Sequence, residues 1–147
     1  MNKTGSQDTI LVITRAYDAP RARVFRAFTD PAELMKWYAP VEGWIVSAAS
    51  VDLRAGGGFH LEFGPPGGDP IIEDAEYIEV VPDERLVYRL GLRGRTTSED
   101  THVTITFADA GGGTEIVITE TGYSSQEIRD MHIGGLSFML DRLATVV

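Results

Sequence analysis

From Trp44 to Tyr123 the sequence keeps returning to a period of two, apolar residue then polar, in short runs parted by Gly, Pro and Asp. Few folds accept that pattern. Side chains of a strand point alternately to opposite faces, so the period of two builds an antiparallel sheet with one apolar and one wet face. The runs "WIVSAASVDLR", "GFHLEF", "IIEDAEYIEVV", "RLVYRLGL", "THVTITF" and "TEIVITETGY" read as strands. Phe59, Leu61 and Phe63 share a face, as do Leu86, Tyr88 and Leu90, then Val103, Ile105 and Phe107, then Ile116, Ile118 and Glu120. "PPGGDP", "PDE" and "ADAGGG" are the turns between them. The triplet Gly56 to Gly58 interrupts "VDLRAGGGFHLEF". A phosphate-cradling loop would open onto a helix N-terminus. Here the glycines lead into a strand, which predicts a hairpin corner with a positive φ at one of them.

The flanks change period. "TILVITRAY", from Thr9 to Tyr17, is one more strand. In "DAPRARVFRAF", Pro20 suits the first turn of a helix whose apolar face is Val24, Phe25 and Phe28. In "DPAELMKWY", Asp30 reads as an N-cap, Pro31 as the first helical residue and Glu33 as the acid of a capping box. Ser124 to Glu127 reads as a second capping box, opening a helix of about five or six turns. Ile128, Met131, Gly135, Met139 and Leu143 lie on one apolar stripe, and Ile133, Leu136, Leu140 and Val147 on an adjacent one. A face that wide predicts a helix gripped by the sheet along most of its length. The fold class is α+β: a curved antiparallel sheet of about seven strands wrapped around a long C-terminal helix, the one element large enough to cover it.

The 147 residues suit one domain, taken as residues 9–147 behind a loose tail, 1–8. With 22 acidic against 13 basic residues and a net charge of −9, nucleic acid and anionic membrane are excluded as main partners, because both need clustered Lys and Arg. There is no cysteine, hence no disulfide and no thiolate chemistry. The sequence holds neither a membrane-length apolar run nor a signal peptide, and a cytoplasmic location is expected. Walker A, nucleophile-elbow, HExxH and calcium-loop patterns are missing, so no cofactor and no metal are expected. His60 and Glu62, and likewise His102, fall on the polar side of their strands and read as solvated. Arg54 reads as half of a surface ion pair.

The motifs in order carry a resemblance. "APRARVFRAFTDPAELMKWYAP", with its Trp37–Tyr38 pair, "DLRAGGGFHLEF", "EYIEVVPDERLVYRL", "VTITFADAGGGTEIVITETGY" and "GGLSFMLDRLATVV" together resemble the START-like helix-grip superfamily, also called SRPBCC. Within it the chain is similar to the activator-of-heat-shock-ATPase homologues, whose chaperone partner is the ninety-kilodalton heat-shock protein. The resemblance covers the chain from about Thr9 onward. It departs in three places: Gly135-Leu136 stands for the usual Gly-Trp, Glu120 for a frequent His, and Ala75 for a common Gly.

The resemblance implies a hydrophobic cavity between sheet and C-terminal helix. Its expected lining is Trp37, Phe59, Leu61, Phe63, Tyr88, Val103, Ile105, Ile118, Glu120, Met131, His132, Gly135 and Met139. Glu120 shares its strand face with Ile116 and Ile118, where a carboxylate needs a partner or a raised pKa, so it is the candidate ligand anchor or acid/base. Trp37, Tyr38 and Trp44 are candidate gate residues, and Tyr77, Tyr88 and Tyr123 candidate hydroxyl donors. Three functions stay open: a binding module for a small hydrophobic molecule (lipid, polyketide or aromatic), which is preferred; a cyclase or aromatase working by proton transfer; and a chaperone-binding interaction module. A homodimer also stays open.

Overall fold

The computed structural model describes residues 9–94 and 98–147; the tail expected at 1–8 lies outside the described residues. The chain runs β1 (Leu11–Tyr17), α1 (Arg21–Thr29), α2 (Pro31–Trp37), β2 (Ile45–Asp52), β3 (Gly58–Gly64), β4 (Ile71–Val81), β5 (Arg85–Arg93), β6 (Ser98–Ala110), β7 (Gly113–Thr121) and α3 (Gln126–Leu143). The strands form one antiparallel sheet in the order β1-β7-β6-β5-β4-β3-β2. β1 and β2 are consecutive in sequence yet occupy opposite edges. The α1–α2 pair carries the chain across one end of the sheet, and the meander from β2 to β7 then returns to pair with β1. The element order is the one expected from the period changes, and the arrangement is the helix-grip fold that the resemblance implies.

Two irregularities in pairing bend the sheet: one between Val46 and Ala48 on β2, one between Tyr77 and Glu79 on β4. An extra residue in one strand increases local twist and re-aims the side chains beyond it. On β4, Glu73 and Tyr77 are buried before the bulge, and Val80 packs on the core after it. The glycine triplet is a corner. Gly56 has φ +87°, and the turn is stitched to β4 by Gly56 N–H to Tyr77 O and Tyr77 N–H to Gly57 O, both 2.9 Å. At Gly58 the β4 backbone comes so close that a Cβ would overlap the carbonyl oxygen of Ala75. The triplet therefore answers two needs: a left-handed residue and a close backbone approach.

Helix starts differ in detail from the sequence reading. Asp30 caps α2 as expected, its Oδ1 accepting from Ala32 N–H at 2.9 Å. Glu33 does not complete a capping box. It is buried and turned to Arg23 (2.8 Å) and Lys36 (3.1 Å), while the Asp30 N–H donates to Arg26 O. Burial opposes its ionisation, but the hydrogen bonds to Lys36 and Arg23 outweigh that and hold the carboxyl below its ordinary value. The α3 cap is Ser125 rather than Ser124: the Ser125 hydroxyl accepts from Ile128 N–H at 3.1 Å. Ser124 is held instead by Glu99, which accepts from its N–H (3.0 Å) and its hydroxyl (2.7 Å).

The core lies between the concave sheet face and the three helices. Phe25, Phe28 and Phe107 stack edge to face at 5.3–5.5 Å, and Trp37 packs on Phe28 at 4.9 Å while its indole N–H donates to Ala27 O at 2.9 Å. α3 is not gripped along its length. Met139, Leu140 and Leu143 are buried, and Tyr17 donates to Leu140 O at 2.8 Å. Towards the N-terminal end the helix is only half-buried, and Met131 is 63% exposed. The wide apolar face signalled by the sequence covers two things: packed core at one end, a hollow at the other. No helix in the described residues is long and apolar enough to cross a membrane.

Candidate ligand cavity

The hollow has a volume of about 310 Å³. Its floor is the concave face from β3 to β7, its roof the N-terminal part of α3, and its side wall the end of α2 with the loop to β2. The strands supply Phe63, Tyr88, Val103, Ile105, Ile118 and Glu120, and α3 supplies Met131, His132, Gly135, Leu136 and Met139. Trp37, Tyr38, Pro40, Val41 and Trp44 close the side. Gly135 lets helix and loop approach: a Cβ there would sit 3.0 Å from that of Pro40. His132 stands edge-on to Tyr123 at 5.0 Å.

Two residues expected in the lining are elsewhere. Phe59 and Leu61 face inward, as their alternation requires, but farther along the sheet, where α2 lies directly on it. Leu34, Phe28 and Tyr77 fill the space around them and leave a gap of only about 10 Å³. Phe59 packs against Tyr88 at 5.1 Å and Tyr77 at 6.0 Å. Tyr77 is thus a core residue, whereas Tyr88 and Tyr123 face the cavity.

Sequence reasoning placed Glu120, Tyr88 and His132 in the lining but missed the rest of its polar groups. Glu73 and Glu99 are 5% and 7% exposed, yet both reach the cavity, with Thr101. The signal was present. Glu73 is in phase with Ala75 and Tyr77 on β4, and Glu99 and Thr101 with Val103 and Ile105 on β6. A strand reading that began at Thr101 cut β6 short.

These groups form a ladder of oxygens on an otherwise apolar wall. Tyr38 donates its hydroxyl to Glu73 Oε1 at 2.9 Å, and Thr101 donates to Glu120 Oε2 at 2.6 Å. Burial pushes the Glu73 carboxyl up to about 8; the Tyr38 hydrogen bond pulls it down and the charge of Glu120 adds to the rise. At pH 7 Glu73 is therefore mostly a neutral acid. Burial, then the charge of Glu120 (for Tyr38, of Glu73), raises the phenols of Tyr38, Tyr88 and Tyr123, which stay protonated. Such a wall can donate and accept hydrogen bonds and can hold or release a proton at Glu73.

The outer face offers a larger concavity, about 680 Å³, open to solvent over β4, β5 and β6. Its charges satisfy one another, Arg93 with Asp100 at 2.8 Å and Arg89 with Glu76 at 3.2 Å. On the same face His60 bridges Asp74 (2.6 Å) and Glu62 (2.7 Å), whose hydrogen bonds raise its pKa. His102 is exposed beside Arg89 and Thr121. Arg54 pairs with Asp52 at 2.9 Å on the surface. None of these has the enclosure of the inner cavity.

Comparison with known proteins agrees with this architecture. Protein CV1439 from Chromobacterium violaceum superposes with a TM-score of 0.82 at 31% identity, over 95% of this chain and 96% of its own. A protein from Rhizobium leguminosarum gives 0.81 at 30% identity, over 93% and 92%. DynU16, from the dynemicin biosynthetic locus, shares the fold with a TM-score of 0.75 at 20% identity, over 93% of this chain and 46% of its own. No curated protein matches. The family described as "Activator of Hsp90 ATPase homolog 1-like protein" matches residues 18–147. With that match over the two N-terminal helices, the sheet from β2 to β7 and the C-terminal helix, the chain belongs to the Activator of Hsp90 ATPase homolog 1-like family within the helix-grip fold.

Proposed function

We propose that the protein is a small-molecule binding domain whose ligand occupies the cavity between β3–β7 and the N-terminal part of α3. The supporting observation is a partly open hollow of about 310 Å³ lined by aromatic and aliphatic side chains with a few polar groups on one wall. Ligand sites have that make-up: apolar surface for affinity, a few placed polar atoms for orientation. A hollow of this size beneath a long helix costs side-chain packing that a purely structural domain would recover by larger side chains. The ligand is a compact molecule with an apolar body, of the size of a medium-chain lipid or an aromatic ring system.

The chain supplies its own reporter. Both tryptophans, Trp37 and Trp44, line the cavity. Titration with 1-decanol and with 2-naphthol should change their emission saturably, and native mass spectrometry should show one ligand per chain. Ile118→Phe, which extends a ring from the floor, should weaken binding about tenfold or more. Emission and mass unchanged by every apolar probe would end this reading, as would binding indifferent to Ile118→Phe.

A further inference from the structure

The cavity is short of positive charge. It holds three glutamates and, among its described lining residues, no lysine or arginine. Glu99 is committed to Ser124 through both oxygens. Glu73 and Glu120 are less fully committed: Tyr38 occupies one oxygen of Glu73, while Glu120 accepts from Thr101 at one oxygen and takes a further hydrogen bond from the Tyr123 hydroxyl. Tyr88 is a second, independent sign of a missing partner. Its side chain is 6% exposed, it lines the cavity, and its hydroxyl has no hydrogen-bond partner among the described residues. Native interiors satisfy buried polar groups, so an unused phenol and a half-used carboxyl, with the Glu120 carboxylate on the same wall, mark where a ligand's polar group belongs.

The chemistry of that group follows from what the wall lacks. A carboxylate would add a negative charge beside Glu99 and Glu120, with only the Tyr88 hydroxyl and the Glu73 acid proton as donors and no cation to balance it. An alcohol has one proton to give. A protonated amine brings a charge and three donors, enough for both glutamates at once, and bonds to carboxylates are the strong kind. We propose that the ligand of this cavity is an amine on an apolar body, its ammonium held by Glu73 and Glu120 beside the Tyr88 hydroxyl, and that carboxylate amphiphiles are rejected. This rests on the ligand-binding reading above and specifies its ligand class.

Binding then moves a proton. The groups facing the site are Tyr38 at the end of α2, Glu73 on β4, Tyr88 on β5, Glu99 and Thr101 on β6, Glu120 on β7, Tyr123 after it and His132 on α3. The phenols stay protonated, so Glu73 is the group an incoming ammonium converts to its anion. Amine binding near pH 7 therefore releases most of one proton and tightens as pH rises towards 8.

The test uses three probes with one tail: decylamine, 1-decanol and decanoate, below their micelle concentrations, followed by calorimetry in two buffers of different ionisation heat. Decylamine should bind about tenfold or more tightly than either other probe. Glu73→Gln and Glu120→Gln should each lower that affinity about tenfold and leave decanol nearly unchanged, with thermal melts confirming folded variants. Neither variant changes a formal net charge of −9 by more than one, so a loss of that size places the effect in the cavity rather than in general attraction of cations. Proton release should vanish in Glu73→Gln. Decanol bound as tightly as decylamine, decanoate bound more tightly, or amine binding without proton release would overturn the amine assignment and leave the cavity reading standing. No binding of any probe would overturn both.

Discussion

Glu73→Gln should make the protein more stable, and by an amount that depends on pH. Glu73 is 5% exposed, and its carboxyl is raised from 4.5 to about 8, burial being the main cause. Below pH 4.5 the acid is protonated in folded and unfolded chains alike. Between pH 4.5 and 8 the folded chain keeps a proton that the unfolded chain has released, so stability falls as pH rises; above pH 8 both forms are ionised and the loss is complete. At about 1.4 kcal/mol per pH unit, the loss reaches about 3 kcal/mol at pH 7 and about 5 kcal/mol above pH 8. Glutamine has nearly the same shape, does not titrate, and its amide oxygen can still accept the Tyr38 hydroxyl. The variant should therefore match the wild type near pH 4.5 and exceed it by about 3 kcal/mol at pH 7, a rise in Tm of roughly 6–12 °C for a chain of this length. Urea unfolding of both proteins at pH 5, 7 and 8.5 measures it. A stability difference that stays flat across that range would mean that Glu73 is ionised and solvated in the fold, and the account of the cavity wall would fail with it. The destabilisation is also the mark of a group kept for a purpose other than folding, since a neutral side chain in its place is the more stable choice.

Three further outcomes bear on other parts of the structure. Gly58→Ala should cost about 3 kcal/mol or more because its Cβ meets the Ala75 carbonyl, whereas Gly56→Ala, strained in φ but facing open space, should cost about 1–2 kcal/mol; equal shifts in the urea midpoint would refute the distinction. Ser125→Ala should cost about 1 kcal/mol as the lost cap of α3, and unchanged stability would place the cap elsewhere. In an NMR titration His60 should hold its proton above its ordinary value of 6.5, and Glu62→Gln should lower that midpoint; a His60 indifferent to Glu62 would remove the hydrogen bond from the account.

The sheet was legible because period-two alternation is a local property. Each strand's inward residues can be named from its own six or seven letters, and Phe63, Tyr88, Val103, Ile105, Ile118 and Glu120 face inward as the pattern requires. The polar lining was legible in principle by the same rule, but a strand must be followed to its end: Glu73 and Glu99 look like surface residues until their phase with Tyr77 and Val103 is counted. The cap of α3 slipped by one residue because serine neighbours compete, and the winner is decided by Glu99, twenty-five residues from Ser124.

The sequence by itself determined the order of elements, the face each residue takes and the excess of acid over base, because these follow from short-range periodicity and composition. The tertiary structure alone decided where apolar faces close and where they stand apart. Phe59 and Leu61 share alternation with Phe63, yet α2 presses on the first two and leaves the third beside a hollow. The C-terminal helix carries one continuous apolar face, yet only Met139, Leu140 and Leu143 are buried. Whether an inward residue is core or cavity wall depends on the distance between layers, which bulges, helix docking and loop length set together and no local pattern encodes.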